Sequence, residues 1–195
     1  MKKIILLLIF INYIWANENY FINPNKIFIG FGVNMGEMEI GTTLDETISI
    51  NPQEEAGSGY TIQAGYEYNN RLKLNYNIKK FGLDDGSFTF NYFSFDYQLT
   101  SREPFYMGLD YGTGEYSWEK SPYSVASEND TELSSSIFGL HLGYPFIINE
   151  NLEFSLQLNF LKSDFITKII NPNVEGTINH KELIDISLAL RYKFK

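Results

Sequence analysis

Eight stretches of this chain alternate bulky apolar residues with small or polar ones. Residues 26–36 read K-I-F-I-G-F-G-V-N-M-G, and residues 183–194 read L-I-D-I-S-L-A-L-R-Y-K-F. A period of two predicts strands with one greasy and one polar face. The first, residues 26–39, puts Ile27, Ile29, Phe31, Val33 and Met35 on one side. The second, 60–68, shows Tyr60, Ile62, Ala64, Tyr66 and Tyr68, and the third, 72–81, shows Leu72, Leu74, Tyr76 and Ile78. The fourth, 88–99, breaks phase: Phe88, Phe90 and Tyr92 share one parity, then Phe93, Phe95, Tyr97 and Leu99 take the other. That predicts either a β-bulge near Tyr92-Phe93 or a stretch apolar on both sides. The fifth (105–113), sixth (134–146), seventh (152–160) and eighth (183–194) alternate without such a break.

The connections alternate too. Those after strands two, four and six are short, and three of the other four are long and polar, at residues 41–59, 115–132 and 162–181. Even strand number, alternation and unequal connections together predict an all-β fold, an eight-stranded antiparallel up-and-down transmembrane β-barrel. The short turns and both termini are then expected in the periplasm and the three long segments outside the cell, where they are the candidate sites for a surface or host ligand.

Volume decides which face points where. A barrel of eight strands has an interior only wide enough for ordinary side chains or one small ligand. It cannot hold every Phe, Tyr and Leu of the apolar faces. The opposite faces carry Gly30, Gly32, Gly36, Gly65, Gly108, Gly112, Gly114, Gly139 and Gly143, which make room in a crowded lumen. The greasy face is therefore expected outward, in lipid. Tyr66, Tyr68, Tyr97, Phe105, Tyr144, Phe154, Tyr192 and Phe194 would form an aromatic rim at the short-turn end, where amphipathic rings prefer the interface.

Residues 1–16 have the form of a secretory signal: Lys2 and Lys3, an apolar run over 4–11, and Ile14-Trp15-Ala16 as a cleavage end. The apolar run falls short of the ~20 residues a spanning helix needs. Residues 17–195 are then expected to form a single barrel domain. Formal charge is -9. It becomes more negative without the two leader lysines, which argues against nucleic acid as a partner. There is no cysteine, hence no disulfide and no thiolate chemistry.

The strand residues quoted above resemble the small outer-membrane barrels of the OmpA/OmpX-like superfamily over nearly the whole chain beyond residue 16. The final strand, L-A-L-R-Y-K-F, is similar to the signal read by the outer-membrane assembly machinery; family members commonly end on the aromatic, whereas Lys195 follows Phe194 here. The resemblance implies outer-membrane lipid, lipopolysaccharide and, during biogenesis, that machinery as partners, in a Gram-negative bacterium.

The inward parity collects Glu67, Lys73, Lys79, Asp96, Asp110, His141, Glu153, Asp185, Arg191 and Lys193. With Asn70 at the centre of its hairpin, Glu67 faces Lys73 directly, an opposite-charge cross-strand pair. These ten residues are expected to form a charge-paired network that fills the lumen; the alternative is a narrow conduction path. His141 also invites comparison with lipid A acyl-modifying barrels, which use His with Ser and an acid. It shares the parity of Gly139 and Gly143, however, and no spacing selects Ser134, Ser136 or Ser155 as its nucleophile. His180, placed in the last long segment, has no evident partner. The acidic residues of the long segments (Asp45, Glu46, Glu54, Glu55, Glu115, Glu119, Glu128, Asp130, Glu132) match no calcium-loop spacing and are expected to be solvated. No cofactor, metal or catalytic residue is expected. A structural or surface-interaction role is the leading expectation, ahead of an acyl hydrolase or transferase, a pore, or a soluble periplasmic ligand-binding barrel.

Overall fold

The computed structural model describes residues 26–44, 48–68, 71–100, 104–119, 132–171 and 174–194, with side chains described except at 44, 48–52, 132, 169–171 and 174–175. The proposed leader, the Asn69-Asn70 turn centre and residues 120–131 lie outside them. Eight strands follow in order: β1 Lys26–Leu44, β2 Ile48–Glu67, β3 Leu72–Gly82, β4 Gly86–Gln98, β5 Tyr106–Trp118, β6 Glu132–Ile147, β7 Leu152–Asn171 and β8 Val174–Lys193. Each pairs antiparallel with its neighbour, and β8 pairs with β1 from Phe28↔Lys193 to Leu44↔Gly176, so the sheet is a closed barrel.

The apolar face points out. On β1 the exposed residues are Ile27, Ile29, Phe31, Val33 and Met35; on β8 they are Ile184, Ile186, Leu188, Leu190, Tyr192 and Phe194. The strands then leave this belt at polar positions: Glu37, Ser58, Lys80, Asn91, Thr113, Ser136, Lys162 and Glu182. A tilted strand needs about 9–11 residues to cross a bilayer, and residues 27–35 and 184–194 have that length. Aromatic pairs such as Tyr144–Phe146 and Tyr192–Phe194, with centroids 4.9 and 5.1 Å apart, stand at the short-turn end.

Two glycines show how the lumen is filled. Gly143 faces Tyr106 across the β5–β6 pair, and Gly108 faces His141. A Cβ on either would overlap the ring opposite it. Each glycine thus lets a large side chain lie across the narrow interior.

One pair of alternatives is decided and one expectation needs correction. β4 has no bulge: its registers to β3 and β5 run unbroken, and Phe88, Phe90, Tyr92, Ser94, Asp96 and Gln98 are all buried on one parity. The stretch is apolar on both sides, because half of this lumen is itself apolar. Long loops are expected at residues 41–59 and 162–181. The described residues there are instead strand, β1–β2 pairing as far as Leu44↔Ile48 and β7–β8 as far as Asn171↔Val174. Residues 115–118 and 132 are strand as well. Beyond the belt neither face needs to be greasy, so the period of two fades while hydrogen-bonded pairing continues.

Candidate functional site in the lumen and at the long-hairpin end

All ten predicted polar residues face the lumen, in three clusters stacked along the barrel. At the short-turn end, Glu67↔Lys73 pair as register partners, Nζ to Oε1 at 3.0 Å. Lys193 Nζ reaches Glu67 Oε1 and Glu153 Oε2, both at 2.8 Å, and Lys73 lies 3.6 Å from Glu153. Arg191, fully buried, donates Nη1 to Glu153 Oε1 (3.2 Å) and Nε to Gln63 Oε1 (2.9 Å). Its guanidinium lies 5.5 Å from the Phe28 ring centroid and 5.8 Å from that of Tyr106. The Tyr106 hydroxyl accepts from Gln157 Nε2 (2.9 Å) and bonds Ser155 Oγ (2.8 Å).

The middle cluster centres on His141. Its Nδ1 is 3.0 Å from Asp110 Oδ2, and its Nε2 is 3.1 Å from Asp96 Oδ1, the latter off-line for a hydrogen bond and so a contact of charge. Asn75 Nδ2 donates to Asp96 Oδ2 (2.8 Å), and Ser94 Oγ donates to Asp110 while accepting from Asn77 Nδ2 (2.7 Å). Carboxylates only accept, so Nδ1 carries the proton toward Asp110, and the imidazolium form also sets its charge against Asp96. In that form the five acids of the predicted set are matched by Lys73, Lys79, Arg191, Lys193 and His141. Deeper still, Lys79 Nζ meets Asp185 Oδ2 at 2.6 Å, and Asp185 Oδ1 accepts from Asn159 Nδ2 (2.9 Å) and Ser187 Oγ (2.8 Å). Unpaired buried charge costs several kcal/mol (about 3–5 when one partner is removed); pairing removes that penalty here.

Above Lys79 and Asp185 the lumen changes character. Met38, Phe81, Phe88, Phe90, Tyr92, Tyr116, Ile137, Leu161, Phe165 and Leu183 form one buried cluster. Phe88 and Phe90 stack at 5.4 Å with an interplanar angle of 4°, and Tyr116 lies 4.4 Å from Phe88. This apolar plug was missed from the sequence; its signal was the inward parity of Phe88, Phe90 and Tyr92. The inward Asn, Gln and Ser residues and Tyr106 were missed too, although they share parity with the charged ten. His180 is a strand residue on β8, buried against the plug, rather than a loop histidine.

The arrangement does not make a hydrolytic triad. The Ser94 hydroxyl donates to Asp110 rather than to His141, so the acid stands between the would-be nucleophile and base. All three are buried in the lumen, away from the exposed apolar outer face.

No protein-family model matches the sequence, and no curated relative does either. Among solved structures, the chain is similar to the outer membrane protein OprG from Pseudomonas aeruginosa, at 10% identity and a TM-score of 0.57, over 88% of this chain and 96% of that one. It is also similar to Neisserial surface protein A, at 16% identity and a TM-score of 0.52, over 84% of this chain and 97% of that one. The protein has the fold of the small outer-membrane β-barrels, as the OmpA/OmpX-like resemblance implies.

Proposed function

We propose that the protein is an outer-membrane surface-interaction protein without enzymatic activity, and that it presents a rigid sheet to an extracellular macromolecule. One observation carries this reading. Among the described residues, pairing beyond the apolar belt runs farthest on one side. β7, β8, β1 and β2 run on as a four-stranded wall to the hairpin ends at Leu44↔Ile48 and Asn171↔Val174, whereas β3 and β4 turn at residues 83–85. A paired wall has already lost its backbone entropy, so binding to it costs less than binding to a floppy loop. The outer face of β7 carries Asp164, Ile166 and Lys168, all exposed. Among the described residues, the β6–β7 ladder ends at Phe138↔Lys162, which leaves the edge of β7 above it without a paired strand. A strand edge is a natural template for recognition.

The lumen supports the same reading. Its charges are paired and its upper half is filled with rings, which disfavours ion flow. In this orientation the short turns face the periplasm and the wall faces outward.

The test is to replace residues 166–177 with an Asn-Gly turn and measure adhesion of expressing cells to host-derived surfaces. The expected result is lost adhesion with an unchanged heat-modifiable band of the folded barrel. Full adhesion by the trimmed protein, or discrete conductance steps from the intact protein in planar bilayers, would overturn the proposal.

A further inference from the structure

The wall is held to β4 and β5 by side chains that meet inside the barrel. The Phe165 ring of β7 lies 5.3 Å from Phe88 and 6.5 Å from Tyr116, and Trp118 Nε1 of β5 donates to Thr167 Oγ1 at 3.0 Å. These contacts join β7 to β4 and β5 across the lumen. On the nearer flank the described contact with β6 is Asp164 N donating to Ser135 Oγ at 3.1 Å.

All three ladders of the wall slip at one height, just above the belt. The register shifts between Lys162 and Phe165 in β7–β8, between Glu39 and Ile40 in β1–β8, and between Ile40 and Thr42 in β1–β2. The five other ladders run without a shift. At the slip, the neighbouring side chains of Lys181 and Glu182 both face out. Irregular pairing is where strands bend, and three such points in line make a hinge across the whole wall.

His180 sits immediately above that hinge, 1% exposed. Its ring centroid is 4.4 Å from Tyr116, 5.4 Å from Phe88 and 5.5 Å from Trp118. Phe165 is its register partner on β7, and among the described residues its Nδ1 is buried without a hydrogen-bond partner. We propose that the described strands of the wall beyond the slip, residues 163–171 and 174–181, are a lid on the barrel mouth, and that acid releases it by protonating His180.

The groups around His180 explain the direction. Phe88 comes from β4, Tyr116 and Trp118 from β5, Phe165 and Thr167 from β7, and Ile40 from β1. The Tyr116 hydroxyl is the titratable group among them. Glu55 of β2, Asp85 of the β3–β4 turn and Glu119 after β5 act on that hydroxyl. On the outer surface, Lys181 is exposed and Asp164 accepts from Asn179 Nδ2 at 2.8 Å. Among the described residues, a second N–H on His180 would find rings and no acceptor partner, a buried unmade hydrogen bond and a buried charge together.

Burial holds the imidazole at about 4 rather than its ordinary 6.5. The open lid binds the proton more tightly than the closed one. Closure is therefore intact above pH 6.5, weakens about tenfold per unit as pH falls from there toward 4, and loses more than about a hundredfold in all.

The full chain with Trp15→Phe, refolded in detergent micelles, has Trp118 as its sole tryptophan. From pH 7 to pH 3, acrylamide quenching of Trp118 is expected to rise severalfold, with a red-shifted emission, reversibly, while the unheated gel band stays at its folded position. His180→Phe on the same background is expected to stay unquenched throughout. Should that variant fail to show a folded band at pH 7, His180→Gln, which stays polar and does not titrate, takes its place. Three results overturn the proposal: no change in the parent, an equal change in the His180 variant, or loss of the folded band together with the fluorescence change.

Discussion

The two halves of the lumen solve one packing problem with opposite chemistry. Toward the short turns, Glu67, Lys73, Glu153, Arg191 and Lys193 are stitched together, with the His141 and Lys79–Asp185 clusters above them. Toward the long hairpins, Phe88, Phe90, Tyr116 and Phe165 stack. The polar half is directional: each group needs its partner at a set distance, and loss of one strands the other. The aromatic half is non-directional, and its contribution follows the area and volume it fills. The first suits a fixed girder inside the membrane. The second suits a seal, because rings can part and re-pack without leaving an unpaired charge.

The sharpest way to break this contrast is Asp185→Leu. It strands the Lys79 ammonium, which is 1% exposed, and is expected to cost about 3–5 kcal/mol, read as a lower urea midpoint for unfolding from lipid vesicles. Adding Lys79→Met should restore most of that loss, since a buried ion pair exchanged for apolar residues of similar size is close to neutral. If the double variant is no better than the single one, the cluster does more than balance charge. Phe88→Ala comes next, at about 3 kcal/mol for the cavity left among its rings. No polar partner is stranded, so cavity-filling Ile137→Phe should recover part of the loss by the same assay. Lys162→Ala is the smallest. Lys162 and Glu182 lie 3.6 Å apart with side chains 74% and 50% exposed, so the midpoint should move by less than about 1 kcal/mol. A larger shift would mean that this pair braces the hinge.

Much of the molecule was legible because strands carry local signals. The outward belt from Ile27 to Met35, the Glu67↔Lys73 register and the short turns at the polar-lumen end follow from parity and turn chemistry within a few residues. The inward placement of all ten charged residues follows from the same parity. Which of them meet does not: Lys79 finds Asp185 and Arg191 finds Gln63 across the closed sheet, at sequence separations over a hundred. The wall escaped notice for a different reason. The described residues of 41–59 and 162–181 lie beyond the apolar belt, so no greasy outer face is required of them, and polar residues in paired strands read like loops.

Alternating side chains by themselves determined that eight strands form a cylinder with an apolar exterior, because a one-residue step always reverses the face and only one face here is uniformly greasy. Closure decided the rest. Bringing β8 beside β1 set which charges meet, which rings fill the upper half and where the wall slips, since those relations depend on strand stagger around the barrel and not on any neighbouring residue in the chain.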